Sequence, residues 1–218
     1  MAVAPLNKFI TIAVPVAPGE QTVYTAPTGK NSIVLYASVS NVGVNTYPTV
    51  TFTHRRESTA SNTAGNTRNI RILKNTEIPP SDALVIIDGR LVLERTAFIK
   101  DSIVIEGTQS GIVNISGVLY DQFTGITTVT TSGAHGFSAS DEITMSGIEF
   151  SCSGYVGGAT TTIFPAPQRS FIVDAVNSST EFETNVGIVT NIPHTYVSGG
   201  QVAPLEMEFI MSILENTI

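Results

Sequence analysis

The chain has 218 residues, a formal net charge of −7 and one cysteine, Cys152, so one large or two small domains must rest on packing, without a disulfide framework or a cysteine metal site. Hydrophobic residues make up 42% and charged residues 13%, which excludes disorder, and the acidic balance excludes a general nucleic-acid binder, which needs basic patches to displace counterions. No apolar run approaches the length of a membrane span, and MAVAPLNKFITIAVPV lacks a basic region followed by a continuous apolar one, so neither membrane insertion nor a secretory signal is expected.

Residues 9–16, FITIAVPV, alternate weakly and stop at Pro15 and Pro18. That pattern suits an ordinary first strand, an edge strand or an arm lying on a partner, and makes Phe9, Ile10 and Ile12 candidate interface residues. Turns at Ala17-Pro18-Gly19 and Ala26-Pro27-Thr28-Gly29 bracket a short strand, and SIVLYASVS over residues 32–40 predicts a central strand with Ile33, Leu35, Ala37 and Val39 on one face. TVTFT follows as a strand. Residues 54–69, HRRESTASNTAGNTRN, predict a loop too long for a simple hairpin, and such loops tend to be mobile or functional; residues 70–73 resume a strand.

The densest alternation runs over residues 83–107, ALVIIDGRLVLERTAFIKDSIVIEG. An Asp-Gly pair between two apolar runs predicts a two-residue type I′ hairpin at Asp88-Gly89. Leu84, Ile86, Leu91 and Leu93 then share the core face. Residues 103–106 alternate as a third strand, and IVNISGVLY over residues 112–120 as a further one, with a bulge at Gly117.

Charge is unevenly placed. Residues 1–121 hold ten Lys/Arg against nine Asp/Glu, whereas residues 122–203 hold one against six. The texture changes at the same point: strands are expected at 126–131, 142–146, 171–176, 181–186 and 194–197, between Gly, Ser and Thr loops. LEMEFIMSIL over residues 205–214 is rich in good helix formers and could be a helix, but its alternation favours a strand. The expected fold is therefore all-β: a β-sandwich or jelly-roll-like domain over residues 1–121, with 204–218 as its closing strand, and a small β-barrel module over 122–203, inserted or appended.

Little chemistry is visible. His54, His135 and His194 have no metal-ligand spacing, and His135 before Gly136 suits a turn. Cys152 reads as a small core hydrophobe. Thr28-Gly29-Lys30-Asn31 has Tyr24 where a phosphate loop's first glycine belongs and leads into a strand, and Asp141-Glu142 point to opposite faces. No enzyme activity, cofactor or metal is expected. The best interaction candidates are Arg55, Arg56, Arg68, Arg71 and Lys74, read either as a solvated loop or as contacts to an acidic neighbour such as the middle module of another copy.

YTAPTGKNSIVLYASVSNVG, followed by IPPSDALVIIDGRLVLE and a terminal strand ending Ser212-Ile213-Leu214-Glu215, resembles small virion structural proteins of tailed bacteriophages. TTVTTSGAHGFSASDEITMSG, with STEFETNVGI and HTYVSGG, is similar to a β module of virion proteins in contractile-tailed marine cyanophages. There a His-Gly-Phe turn closed by an Asp, here His135-Gly136-Phe137 and Asp141, precedes a strand; Ser140 stands where a Gly is commoner. The resemblance implies a virion structural protein that assembles as a homo-oligomer and with other virion proteins. A tail or neck component is the favoured reading, ahead of capsid decoration. A carbohydrate- or receptor-binding module, using Tyr155, Tyr196 and Phe164, is the alternative from another class.

Overall fold

The computed structural model describes residues 7–58, 66–152, 160–163 and 168–217, which form strands and, among those residues, no helix. They fall into two compact units. One comprises Glu20–Thr108, the N-terminal strand as far as Val14 and the C-terminal strand from Met207; the other comprises Gln109–Glu206 with Pro15–Gly19.

The first unit contains β1 (Asn7–Pro15), β2 (Gly19–Thr25), β3 (Lys30–Asn41), β4 (Thr49–Ser58), β5 (Asn66–Glu77), β6 (Ala83–Leu93), β7 (Ile99–Thr108) and, after the second unit, β17 (Met207–Thr217). They form two four-stranded sheets, ordered β1-β17-β3-β6 and β2-β7-β4-β5. With β17 counted as the eighth strand, the orders read 1-8-3-6 and 2-7-4-5, the double-sheet jelly roll. The core lies between the sheets. Period-two alternation sends Met207, Phe209, Met211 and Ile213 inward from β17, where they meet Val34 and Val39 of β3 and Val50, Phe52, Ile103 and Ile105 of the opposite sheet. The rings of Phe52 and Phe209 lie 5.9 Å apart across the interior. At the far end of β17, Glu215 accepts hydrogen bonds from Tyr24 Oη and Lys30 Nζ, each at 2.8 Å. Burial opposes ionisation of Glu215, but the bonds from Lys30 and Tyr24 outweigh it and hold the carboxyl below its usual range.

Three expectations are corrected. Asp88-Gly89 makes no hairpin: β6 runs unbroken along β3, with irregularities between Val34 and Tyr36 and between Ala37 and Ser38 that absorb its extra residues. The long partner strand outweighs the local turn preference, and of the four expected core residues only Leu93 is fully buried; Leu84, Ile86 and Leu91 are half-buried. Residues 54–58 and 66–69 are strand, not loop, paired Ser58 with Asn66 through His54 with Ile70; residues 59–65 lie outside the described residues. Finally, β8 (Val113–Tyr120), which the composition break near Asp121 assigns to the first domain, pairs with β9 and β16 of the second unit, bulged at Gly117 as expected.

That second unit holds β9 (Ile126–Thr131), β10 (Glu142–Ser146), β11 (Glu149–Cys152), β12 (Thr160–Ile163), β13 (Ser170–Ser178), β14 (Glu181–Asn185), β15 (His194–Ser198) and β16 (Gln201–Pro204). Six strands close a barrel in the order β10-β13-β14-β9-β8-β16, and β12-β11-β15 form a separate small sheet. Val118, Val129, Ile143, Met145, Phe171, Val173, Phe182 and Val202 fill the interior, joined by Phe150 of the small sheet. Cys152 is half-buried against this cluster. The turn between β9 and β10 is built by His135. Its Nδ1 accepts the Phe137 amide at 2.9 Å while Nε2 sits 3.1 Å from the Ser178 carbonyl, a pair of bonds that requires the neutral Nε2–H tautomer. The ring stacks on Phe137, 5.0 Å between centroids, and meets Phe182 edge-on. Ser138 N donates to Asp141 Oδ2 and closes the turn.

Within that turn Ser140 has φ of +76°, a left-handed conformation that costs a side-chain-bearing residue and not glycine. Its amide donates to the Val173 carbonyl, a bond any residue keeps. Ser140→Gly is therefore expected to raise stability by about 0.5–1 kcal/mol, visible as a higher denaturant midpoint at unchanged slope. A lower midpoint would show that the Ser140 side chain stabilises the turn more than its conformation costs.

Candidate functional site

The eight sequence-derived interface residues separate into three groups. Arg55 and Arg56 lie on β4 and are held within their own unit. Arg55 Nη2 pairs with Glu20 Oε2 at 2.7 Å and its Nε donates to Asn69 Oδ1. Arg56 faces Asp101 directly across β4 and β7, and grips it with two bonds, Nε to Oδ1 at 2.8 Å and Nη2 to Oδ2 at 2.7 Å, while Nη2 also reaches Glu94 at 3.1 Å. Asp101 has no exposure to solvent. It accepts the Glu94 amide as well, and His54 Nε2 lies 3.2 Å away. These partners are remote in sequence, so the arginine-rich stretch by itself could not reveal that two of its members are structural.

Arg68, Arg71 and Lys74 are different. They lie exposed on β5, the edge strand of its sheet, and no described residue forms an ion pair with them. Phe9, Ile10 and Ile12 lie on β1, the edge of the other sheet; Phe9 is exposed, the two isoleucines half-buried.

A surface that sequence reading missed lies on the outer face of the β1-β17-β3-β6 sheet. Residues paired across strands share a face, so the registers define four rows on β17, β3 and β6: Glu208, Ser40 and Ala83; Ile210, Ser38 and Val85; Ser212, Tyr36 and Asp88; Leu214, Ile33 and Val92. Val85 and Val92 are each 50% exposed, and Tyr36 and Ile210 are exposed beside them. The charges in these rows are Asp88 in the third and Glu208 at one end. The signal was present as unbroken hydrophobicity in β3 and β6, since a strand covered on one side needs only alternate apolar residues.

Among the described residues, no cluster of three or more His, Cys, Asp or Glu fits a metal. Lys30 of the glycine-lysine turn is paired to Glu215. Tyr196, a sugar-platform candidate, is half-buried with its hydroxyl bonded to the Gly199 carbonyl at 3.0 Å; Tyr155 and Phe164 lie outside the described residues.

No protein-family model matches the chain, and no curated protein is similar to it at a meaningful level. Among solved structures, the crystal structure of the STIV MCP aligns over 98% of this chain and 96% of that chain, at 10% identity and a TM-score of 0.22. A score of that size assigns neither fold nor function.

Burial by itself would raise the Asp101 carboxyl, but the bonds from Arg56 and from the Glu94 amide, with the His54 ring close by, outweigh it, and the net shift is downward. A carboxyl lowered by folding stabilises the native state above its unfolded pKa, and that contribution is lost as pH falls through the folded value. Asp101→Asn should cost about 2 kcal/mol at pH 7, less than a fully buried pair because Arg56 remains partly solvated. The deficit should shrink between pH 5 and pH 2 in parallel urea titrations. A pH-independent deficit would mean the carboxylate's charge is not what stabilises this end of the sandwich.

Proposed function

We propose that the protein is a non-enzymatic structural component of a virus particle, assembling with copies of itself and with other particle proteins, in the tail or neck ahead of the capsid surface. The observation that carries this reading is the strand order 1-8-3-6 over 2-7-4-5, because the double-sheet jelly roll is a recurrent architecture of capsid building blocks. Fold alone does not assign function, since lectins and cupins share it. What favours assembly is the surface. The rows built on Ile210, Val85, Tyr36 and Val92 give the sheet an apolar outer face, the kind of patch that marks interaction sites on soluble proteins. The resemblance of the IPPSDALVIIDGRLVLE and HGFSASD segments to phage virion proteins points the same way.

The glycan-binding alternative is the weaker reading. Sugar platforms need free aromatic faces, the chain has no Trp, and Tyr196 is committed to the barrel.

Light scattering of the purified protein across micromolar concentrations should give a discrete oligomer. Ile210→Lys and Val92→Lys place a charge on the apolar face at positions already open to solvent. Each should weaken self-association at least about tenfold while leaving the thermal midpoint within a few degrees of the parent. A strict monomer at every concentration would overturn the self-assembling reading.

A further inference from the structure

The geometry points to a head-to-tail contact in which the basic edge strand β5 of one copy seats on the acidic wall of the barrel of the next; this rests on the self-assembling reading above.

β5 is exposed on both of its faces along almost all of its twelve residues. An uncovered strand of that length is usually protected from pairing with a neighbour, and β5 carries two protections: cations, and register irregularities opposite Val50–Phe52 and Phe52–Thr53. Both discourage addition of a further strand, so the natural cover for β5 is a surface that meets its side chains. That surface must be acidic, because Arg68, Arg71 and Lys74 carry no partner among the described residues, and partly apolar, because Ile70 and Ile72 stand exposed among them.

The same chain supplies such a surface. On the adjacent barrel strands β10, β13 and β14, the residues flanking the buried Ile143, Val173 and Phe182 point outward: Glu142, Asp174, Glu181 and Glu183. Ile172, exposed and paired with Glu142 in the register, lies on the same face. Glu181 and Glu183 converge on one neutral donor, the Asn177 amide, at 3.2 and 3.1 Å. The barrel module's single cation is no counter-ion for this wall: Arg169 donates to the Val186 carbonyl at 3.1 Å and lies over the Phe171 ring. Two unlike surfaces, each a mixture of one sign of charge with β-branched apolar side chains, are therefore present in equal number on every copy. Contact between unlike surfaces of identical chains is heterologous, and it propagates into a ring or a filament instead of stopping at a dimer.

Charge reversal tests it. One variant carries Arg68→Glu, Arg71→Glu and Lys74→Glu; the other carries Glu142→Lys, Glu181→Lys and Glu183→Lys. Arg68, Arg71, Lys74 and Glu142 are exposed, Glu181 and Glu183 are partly exposed on the barrel's outer side, and circular dichroism checks that both variants fold. Each variant by itself now sets like charge against like at the contact, and its association should weaken at least about tenfold. An equimolar mixture should restore association, because each variant's edge matches the other's wall. Wild-type association should also fall as salt rises from 0.05 to 1 M, read by light scattering. Either reversed variant associating like wild type, or a mixture that stays as dissociated as its components, overturns the contact while leaving self-assembly through the apolar sheet face intact. A wild-type protein that is monomeric throughout overturns both.

Discussion

The jelly roll depends on one long-range pairing. β17 must insert between β1 and β3, and the strand that does so follows the whole barrel in the chain. Before it arrives, β1 has no neighbour on that side and the inward faces of β3 and β4 lack Met207, Phe209, Met211 and Ile213. Removing a buried phenylalanine alone costs about 3–5 kcal/mol, so the absence of four such residues leaves no stable sandwich. The polar end of the same strand is equally specific. Glu215 is buried with Tyr24 and Lys30 as its partners, and burial pushes the Tyr24 hydroxyl well up, so that it stays protonated and donating. A one-residue slip of β17 would send Glu215 outward and Leu214 in.

What sequence revealed of this fold follows from where its signals are local. Alternation in residues 207–213 marks β17 because one face is core and the other is not, and the strands of the barrel stand out between glycine turns for the same reason. Asp88-Gly89 misled because a turn preference is a property of two residues, whereas β3 offers a partner along the entire length of β6. Of β5 only residues 70–73 read as a strand: the polar residues on either side, exposed on both faces, carry no apolar period. β8 was placed in the wrong unit because composition shifts at Asp121, while membership is decided by hydrogen bonds to β9 and β16. At the level of sites, the arginines were legible as an interaction cluster, but their division was not. Arg56 differs from Arg68 only by what lies opposite, a buried Asp101 supplied by β7.

The two units divide the electrostatics between them. In the sandwich, several cations and carboxylates are matched internally, as at Arg55 with Glu20, Arg56 with Asp101 and Lys100 with Glu57. Three of the cations without an ion pair among the described residues, Arg68, Arg71 and Lys74, stand on β5. In the barrel the outer carboxylates have neutral hydrogen-bond donors, as Asn177 for Glu181 and Glu183, but no ion pair among the described residues, and the structure there is held by apolar packing, by the His135 turn and by tight glycine turns. At Gly200, with φ of +106°, a Cβ would come within 2.7 Å of Ile148 Cγ1. Such a division keeps folding independent of the surface charge, because neither core relies on the groups that remain free.

The entrance and exit of the barrel segment are fastened to each other. Ser110, at its start, donates from both its amide and its hydroxyl to the carboxylate of Glu206, at its end. A loop this long would otherwise impose a closure entropy that grows with the logarithm of its length. Once folded, the barrel behaves towards the rest of the chain as a short connection, and its size ceases to matter to the sandwich. The segment is in effect a cassette: recombination could exchange it for another module with adjoining ends, or for a tight turn, without redesigning the sandwich that carries it.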